Sequence, residues 1–71
     1  MLNKKRLKAA IMANDGNQAT LAKAMDLSLS SLSLRINGHM EFTAGEVAFI
    51  RDRYKLTDAE VCQIFFDEKV S

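Results

Sequence analysis

Apolar positions recur along this chain at spacings of three and four, the period of a helix buried along one face. Leu7, Ala10 and Ile11 make one such set, and Leu21, Ala22 and Met25 a second. Val47, Ile50 and Tyr54 make a third, and Val61, Ile64 and Phe65 a fourth. One stretch breaks the pattern. Leu27 to His39 reads LSLSSLSLRINGH, with serine and leucine alternating as they do in a half-buried strand.

The helix starts resolve the ambiguity. The sequence contains no proline, so boundaries rest on caps. Thr43-Ala44-Gly45-Glu46 is a capping box: the threonine hydroxyl accepts from a free helix N–H, and the glutamate accepts from the threonine N–H. Phe42 before it and Val47 after it are placed as a hydrophobic staple. Thr57-Asp58-Ala59-Glu60 repeats the design, with Leu56 and Val61 as staple. Ser28 offers the same arrangement without the glutamate, with Leu27 before it and Leu32 at the staple position. The serine–leucine stretch is therefore read as a helix.

Five helices follow. The first runs from about Asn3 to Ala13 and ends at an Asp15-Gly16 turn. The second starts at an Asn17 cap and runs to about Met25. The third covers Leu29 to Asn37 and stops at Gly38, which supplies a left-handed residue. The fourth covers Ala44 to Tyr54, and the fifth Asp58 to about Phe66. Only Asp26-Leu27-Ser28 joins helices two and three, so they cross steeply, with Ala22 as the small residue at the crossing. Asp26 is expected to take the left-handed turn position, which a short Asp tolerates better than most residues. The expected class is all-α: one compact five-helix domain over residues 1–71.

Composition narrows the function. Apolar residues make up 48% and charged residues 27% of the chain, as in ordinary globular domains rather than disordered ones. Apolar runs such as Val47 to Ile50 are too short to span a bilayer. Lys4, Lys5 and Arg6 resemble the start of a signal peptide, but Lys8 follows where an apolar stretch is needed. A membrane partner is not expected, and a cytoplasmic location is. The lone Cys62 makes no internal disulfide, and with the lone His39 it makes no zinc site. There is no phosphate loop and no motif for nucleophilic catalysis. Neither an enzyme nor a cofactor is expected. Charge is uneven: Met1–His39 holds six cations and two acids, whereas Met40–Ser71 holds four cations and seven acids. Such polarity suggests an anion at one end, although plain solvated surface gives the same count.

The run NQATLAKAMDLSLSSLSLRINGH, about residues 17–38, resembles the helix-turn-helix of the phage Cro and repressor family, the lambda-repressor-like or XRE-type group. Gln18 at a helix start, the Leu21-Ala22 pair, the Ser28 cap, Leu32 and the Asn37-Gly38 stop carry the resemblance, which extends over about Leu2 to Phe66. It is closest to short Cro-like proteins, or modulators of repression, from phages of Gram-positive bacteria. The resemblance implies that Gln18 holds a DNA phosphate at the positive end of helix two. It implies that Ser30, Ser31, Ser33 and Arg35 lie on or beside the face turned to the major groove. Arg35 alone among them can read guanine with two prongs. Asn37, Gly38 and His39 would meet the neighbouring backbone. Lys4, Lys5 and Arg6 sit at the wrong helix end for cations, which suits either phosphate contact or simple fraying.

At about 100° per residue, Leu29, Leu32 and Ile36 fall on the inward face of helix three. The place of Leu29 at the helix start leaves its partial exposure open. Leu34 falls on the opposite face with Ser30 and Ser31, where a DNA reader presents polar side chains. Two readings stand. In the first, the chain is a Cro-like regulator of a lysis–lysogeny switch that binds double-stranded operator DNA, with Leu34 against thymine methyl groups. In the alternative it is an antirepressor, a modulator of repression that binds the phage repressor protein through Leu29 and Leu34 and masks its DNA-binding surface. The near-neutral charge favours the second, because DNA affinity rests on neutralised phosphates. Elsewhere, Cys62 is expected to be a buried inert thiol. Met12, Met25 and Met40 are expected as gap-fillers in or near the core. Phe66 and Val70 are expected to close the domain or to contact a second copy in a homodimer.

Overall fold

Each helix begins where a short polar side chain can take a free backbone N–H. In the computed structural model, which describes residues 1–69, Asn3 caps α1 (Lys4–Asn14) and Asn17 caps α2 (Gln18–Ala24). Ser28 caps α3 (Leu29–Ile36), its hydroxyl accepting from the Ser31 N–H at 3.0 Å. Thr43 and Thr57 cap α4 (Ala44–Tyr54) and α5 (Asp58–Phe65), and both capping boxes are complete. No strand occurs among the described residues, so the fold is all-α with five helices.

The helix ends use left-handed residues. Gly16 and Gly38 take φ 81° after α1 and α3. Asp26 takes φ 57° after α2, as its short side chain allows, and Lys55 takes φ 53° after α4. Each turn returns hydrogen bonds to the preceding helix: Leu27 N–H to the Ala22 carbonyl, His39 to Leu34, and Leu56 to Arg51, all at 2.9 Å. These tight reversals bring the helices around one core.

Leu7, Ile11, Leu21, Leu32 and Ile50 are fully buried in that core, with Ala22, Ile36, Tyr54, Ile64 and Phe65 nearly so. Phe42 meets Phe65 edge to face, with ring centroids 5.5 Å apart. α2 packs most closely on α3, and α1 packs on α2, α3 and α5. The first residues meet the end of α5: the Asn3 N–H donates to the Ile64 carbonyl, and the Asp67 N–H donates to the Met1 carbonyl.

Several side chains sit differently from their expected places. Leu29, whose partial exposure the helix start leaves open, is 51% exposed. Helical side chains lean toward the N-terminus, so the first residue of α3 leans past the end of the helix. Cys62 is exposed, because it lies about 100° round the wheel from Val61 and further still from Ile64. Met12 and Met40 are exposed for like reasons: Met12 is one step past Ile11, and Met40 lies in the segment leading to α4. Met25 does pack against the core. Phe66 is 59% exposed and does not close the domain, and Val70 lies outside the described residues. No helix among the described residues is long and apolar enough to cross a membrane.

Candidate functional site

The connection from Met25 to Ser28 sets α2 and α3 side by side and turns one face of α3 outward. Leu32 and Ile36 anchor the inner face. Leu34, half a turn of the wheel away, is 42% exposed. Ser30 is exposed beside it, and Ser31 and Ser33 are half-buried at the flanks. A shallow concavity lined by Ala19, Ala22, Lys23, Asp26, Leu27 and Leu29 lies where α3 leaves the turn. Gln18 begins α2 and is half-buried. The outward surface is thus made of two leucines, serine hydroxyls and the small side of α2, with Lys23 and Asp26 beside the concavity.

Arg35 is not part of that surface. Its side chain is only 13% exposed. Its Nε donates to Glu46 Oε1 at 3.1 Å, and its terminal nitrogen donates to the Ser31 carbonyl at 2.9 Å. The same Glu46 oxygen accepts from the Thr43 N–H at 2.9 Å. One carboxylate therefore closes the capping box of α4 and holds the last turn of α3. Partial burial works against its ionisation, but the Thr43 N–H and the Arg35 guanidinium outweigh that and lower its pKa. Within Ser28–His39 Arg35 is the sole cation, so its withdrawal leaves the outer face of α3 without positive charge.

Asn37 is also engaged. Its amide nitrogen donates to the Ser33 carbonyl at 2.9 Å and to the Ser33 hydroxyl at 3.1 Å. Its oxygen accepts from Lys4 Nζ at 3.5 Å, which brings the start of α1 beside the end of α3. His39 is exposed just past Gly38. Leu29, Ser30, Leu34 and His39 therefore remain exposed to a ligand and Gln18 partly so, whereas Arg35 is withdrawn to Glu46 and Asn37, though exposed, is hydrogen-bonded to Ser33 and Lys4. The Glu46 clamp was not foreseen. The signal existed in one arginine among serines and leucines and a glutamate already placed by its cap, but nothing local links positions 11 residues apart.

A family model described as protein of unknown function (DUF739) matches residues 2–68. No curated protein and no solved structure matches the chain.

Proposed function

The chain belongs to the DUF739 family, and on that premise we propose that it is a small transcriptional regulator, related in design to the lambda-repressor-like proteins, whose α2–α3 surface docks on a DNA-binding repressor. In this reading the helix pair is a helix-turn-helix used to grip protein. The partner is a phage repressor, and the outcome is a switch in a lysis–lysogeny decision.

One observation carries the reading. The only guanidinium on the third helix is tied to Glu46, while Leu29 and Leu34 stand exposed at 51% and 42%. A DNA reader needs the reverse, since phosphate and base edges reward cations and hydrogen-bond donors. A protein partner rewards leucines ringed by small hydroxyls, because apolar anchors at the centre of an interface carry most of the binding energy. Leu29 borders a concavity that a partner side chain can enter.

Direct operator binding is the second reading. It is favoured by the exposed Lys4, Lys5 and Arg6 and by the approach of Lys4 to the end of α3. It requires Gln18 to hold phosphate and Arg35 to leave Glu46.

Co-purification with a longer repressor encoded divergently beside this gene distinguishes the two. Leu34→Glu is expected to abolish co-purification while leaving the helical circular-dichroism signal unchanged. Leu34→Ser is expected to weaken it by roughly tenfold or more, the effect of losing about 1.5–3 kcal/mol of leucine burial. Gel shifts by the chain alone at low salt are expected to show no retardation of operator DNA. Retardation that Arg35→Ala or Gln18→Ala weakens, with Leu34→Glu still co-purifying, would establish the DNA reading instead.

A further inference from the structure

A second surface lies away from the leucines of α3. An open rift of about 970 Å³ runs between α4, the end of α5 and the first residues of the chain. Phe42, Val61 and Phe65 form its floor, and Ala44, Val47 and Ala48 make one wall at helical spacing. Met1, Met40 and Phe66 stand at its edge, 70%, 45% and 59% exposed, so much of the large apolar surface that the molecule shows to water gathers here. None of the residues from Ser28 to Leu34 lines the rift, so an occupant leaves the repressor-docking face free. The walls are tied in place before anything binds. The Asn3 N–H donates to the Ile64 carbonyl at 2.6 Å, and the Arg35–Glu46 pair joins the end of α3 to the start of α4.

We propose that this rift is a docking groove for an amphipathic helix of a partner protein, one that carries an apolar stripe with carboxylates along its edges.

Shape, lining and charge each narrow the occupant. The rift is open along one side, so whatever lies in it keeps one side dry and one side wet. A small ligand is better served by an enclosed pocket, whereas an amphipathic helix has those two sides by construction. The methionines at the edge adapt to a partner's contour, as they do on other helix-binding surfaces. Ala44 and Ala48, one turn apart on α4, leave room for a backbone to come close. Charge sets the sign. Lys4, Arg35 and Arg51 line the rift against Glu41 alone. Arg35 is neutralised by Glu46, but Lys4 reaches the neutral Asn37 side-chain oxygen at 3.5 Å and is in no ion pair among the described residues. Arg51 is paired with Asp52 at 3.0 Å, exposed on both sides, so it can exchange partners at small cost. Two cations are thus open to the carboxylates of an incoming helix. Nucleic acid would set its phosphates on a floor of phenylalanines, and a membrane surface is too flat to enter a concave rift. A second copy would bring the same cations to face one another.

Titration of the isotope-labelled full chain with a synthetic helical peptide, leucines along one face and glutamates on both flanks, tests this. The expected result is saturable binding, with amide shifts concentrated at Val47, Ala48 and Val61 and absent at Leu29 and Leu34. The same leucine face flanked by lysines is expected to bind at least about tenfold more weakly, and so is the glutamate peptide to Lys4→Glu or Arg51→Glu. Met40→Glu and Ala44→Glu are expected to weaken it likewise; both positions are exposed, and circular dichroism checks that the variants fold. Glu41→Gln is expected to tighten binding. Leu34→Glu is expected to leave it unchanged even where co-purification with the repressor is lost, so the two proposals fail separately. No binding at millimolar peptide would overturn the proposal. So would equal affinity for the lysine-flanked peptide, or shifts centred on the outer face of α3. A rift filled by a second copy would overturn it too, seen as twice the monomer mass without peptide and lost in Met40→Glu and Ala44→Glu.

Discussion

Asp15 joins two helix ends that nothing local connects. Its carboxylate accepts from Arg53 Nε at 3.1 Å and from the Arg53 terminal nitrogen at 2.7 Å, and it also accepts from the Tyr54 hydroxyl. An anion at the end of α1 opposes the helix dipole, so the α4 guanidinium must offset that cost. The fork-like contact does so, and the Arg53 hydrogen bonds lower the Asp15 pKa below its ordinary value of 3.8. On the other side of the contact, burial first and the Asp15 carboxylate second push the Tyr54 hydroxyl well up. A carboxylate whose pKa is lower folded than unfolded contributes stability that is complete above the unfolded value. That contribution disappears as pH falls through the folded value. Asp15→Asn should therefore lower stability at pH 7 by about 1–2 kcal/mol, the loss of charged hydrogen bonds at a partly exposed site. It should also flatten the decline in stability below about pH 4, a window that follows from the ordinary carboxylate range. Urea melts of both proteins between pH 2.5 and 7 check this, and equal acid limbs would remove the role assigned to Asp15. The sequence showed Asp15-Gly16 only as a turn, since a contact spanning 38 residues leaves no trace in local spacing.

Helix boundaries were legible because capping is a code of three or four residues. Asn17, Ser28, Thr43 and Thr57 each cap the helix they were assigned, and the two glutamates of the capping boxes reach back as expected. The alternation in LSLSSLSL misled only at first, because Ser28 marks a helix start more firmly than period two marks a strand. What the caps could not show is that Glu46 also holds Arg35. That clamp removes the best base-reading side chain from the outer face of α3, and local spacing carries no sign of it. The helix ends carry a further consequence. Asp26 was expected to be left-handed from its chemistry, but Lys55 takes the same conformation without a short side chain to favour it. A β-carbon in that region costs roughly 1 kcal/mol or somewhat more. Lys55→Gly removes the strain, although it loosens the unfolded chain. The net expectation is a gain of roughly 0.5–1 kcal/mol, read as a higher urea midpoint at unchanged slope. Lys55→Ala, which keeps the β-carbon, should give no such gain. A gain from alanine equal to that from glycine would mean that the lysine charge, rather than its backbone, sets the cost.

At the scale of the whole molecule, the interior was more legible than the surface. Leu7, Ile11, Leu21, Leu32, Ile50 and Ile64 follow the helical period into the core, because burial needs only periodicity. Met12, Met40, Leu29, Cys62 and Phe66 were misplaced or left open, because a chain of 71 residues lacks the volume to cover every apolar side chain. Which ones stay outside is decided by helix ends and by crossings. The contact between the first residues and the segment at the end of α5 was equally hidden, and Asn3 makes it with two groups while a third caps α1. Its side-chain oxygen accepts from the Arg6 N–H at 3.1 Å and caps α1. Its amide nitrogen donates to Asp67, whose pKa is lowered chiefly by that bond. Its backbone N–H donates to Ile64 at 2.6 Å. Asn3→Ala removes the first two at once and should cost about 1–2 kcal/mol, or several degrees of melting temperature in a domain this small. Asn3→Asp separates them, since a carboxylate still caps the helix but cannot donate, and it faces Asp67 with like charge. At pH 7 Asn3→Asp should therefore lie below the parent protein despite its better cap. Near pH 4 a proton shared between the two carboxyls should recover part of the loss. A melting temperature for Asn3→Asp at or above the parent at pH 7 would show that the cap alone explains Asn3, and that the tether to Asp67 holds nothing.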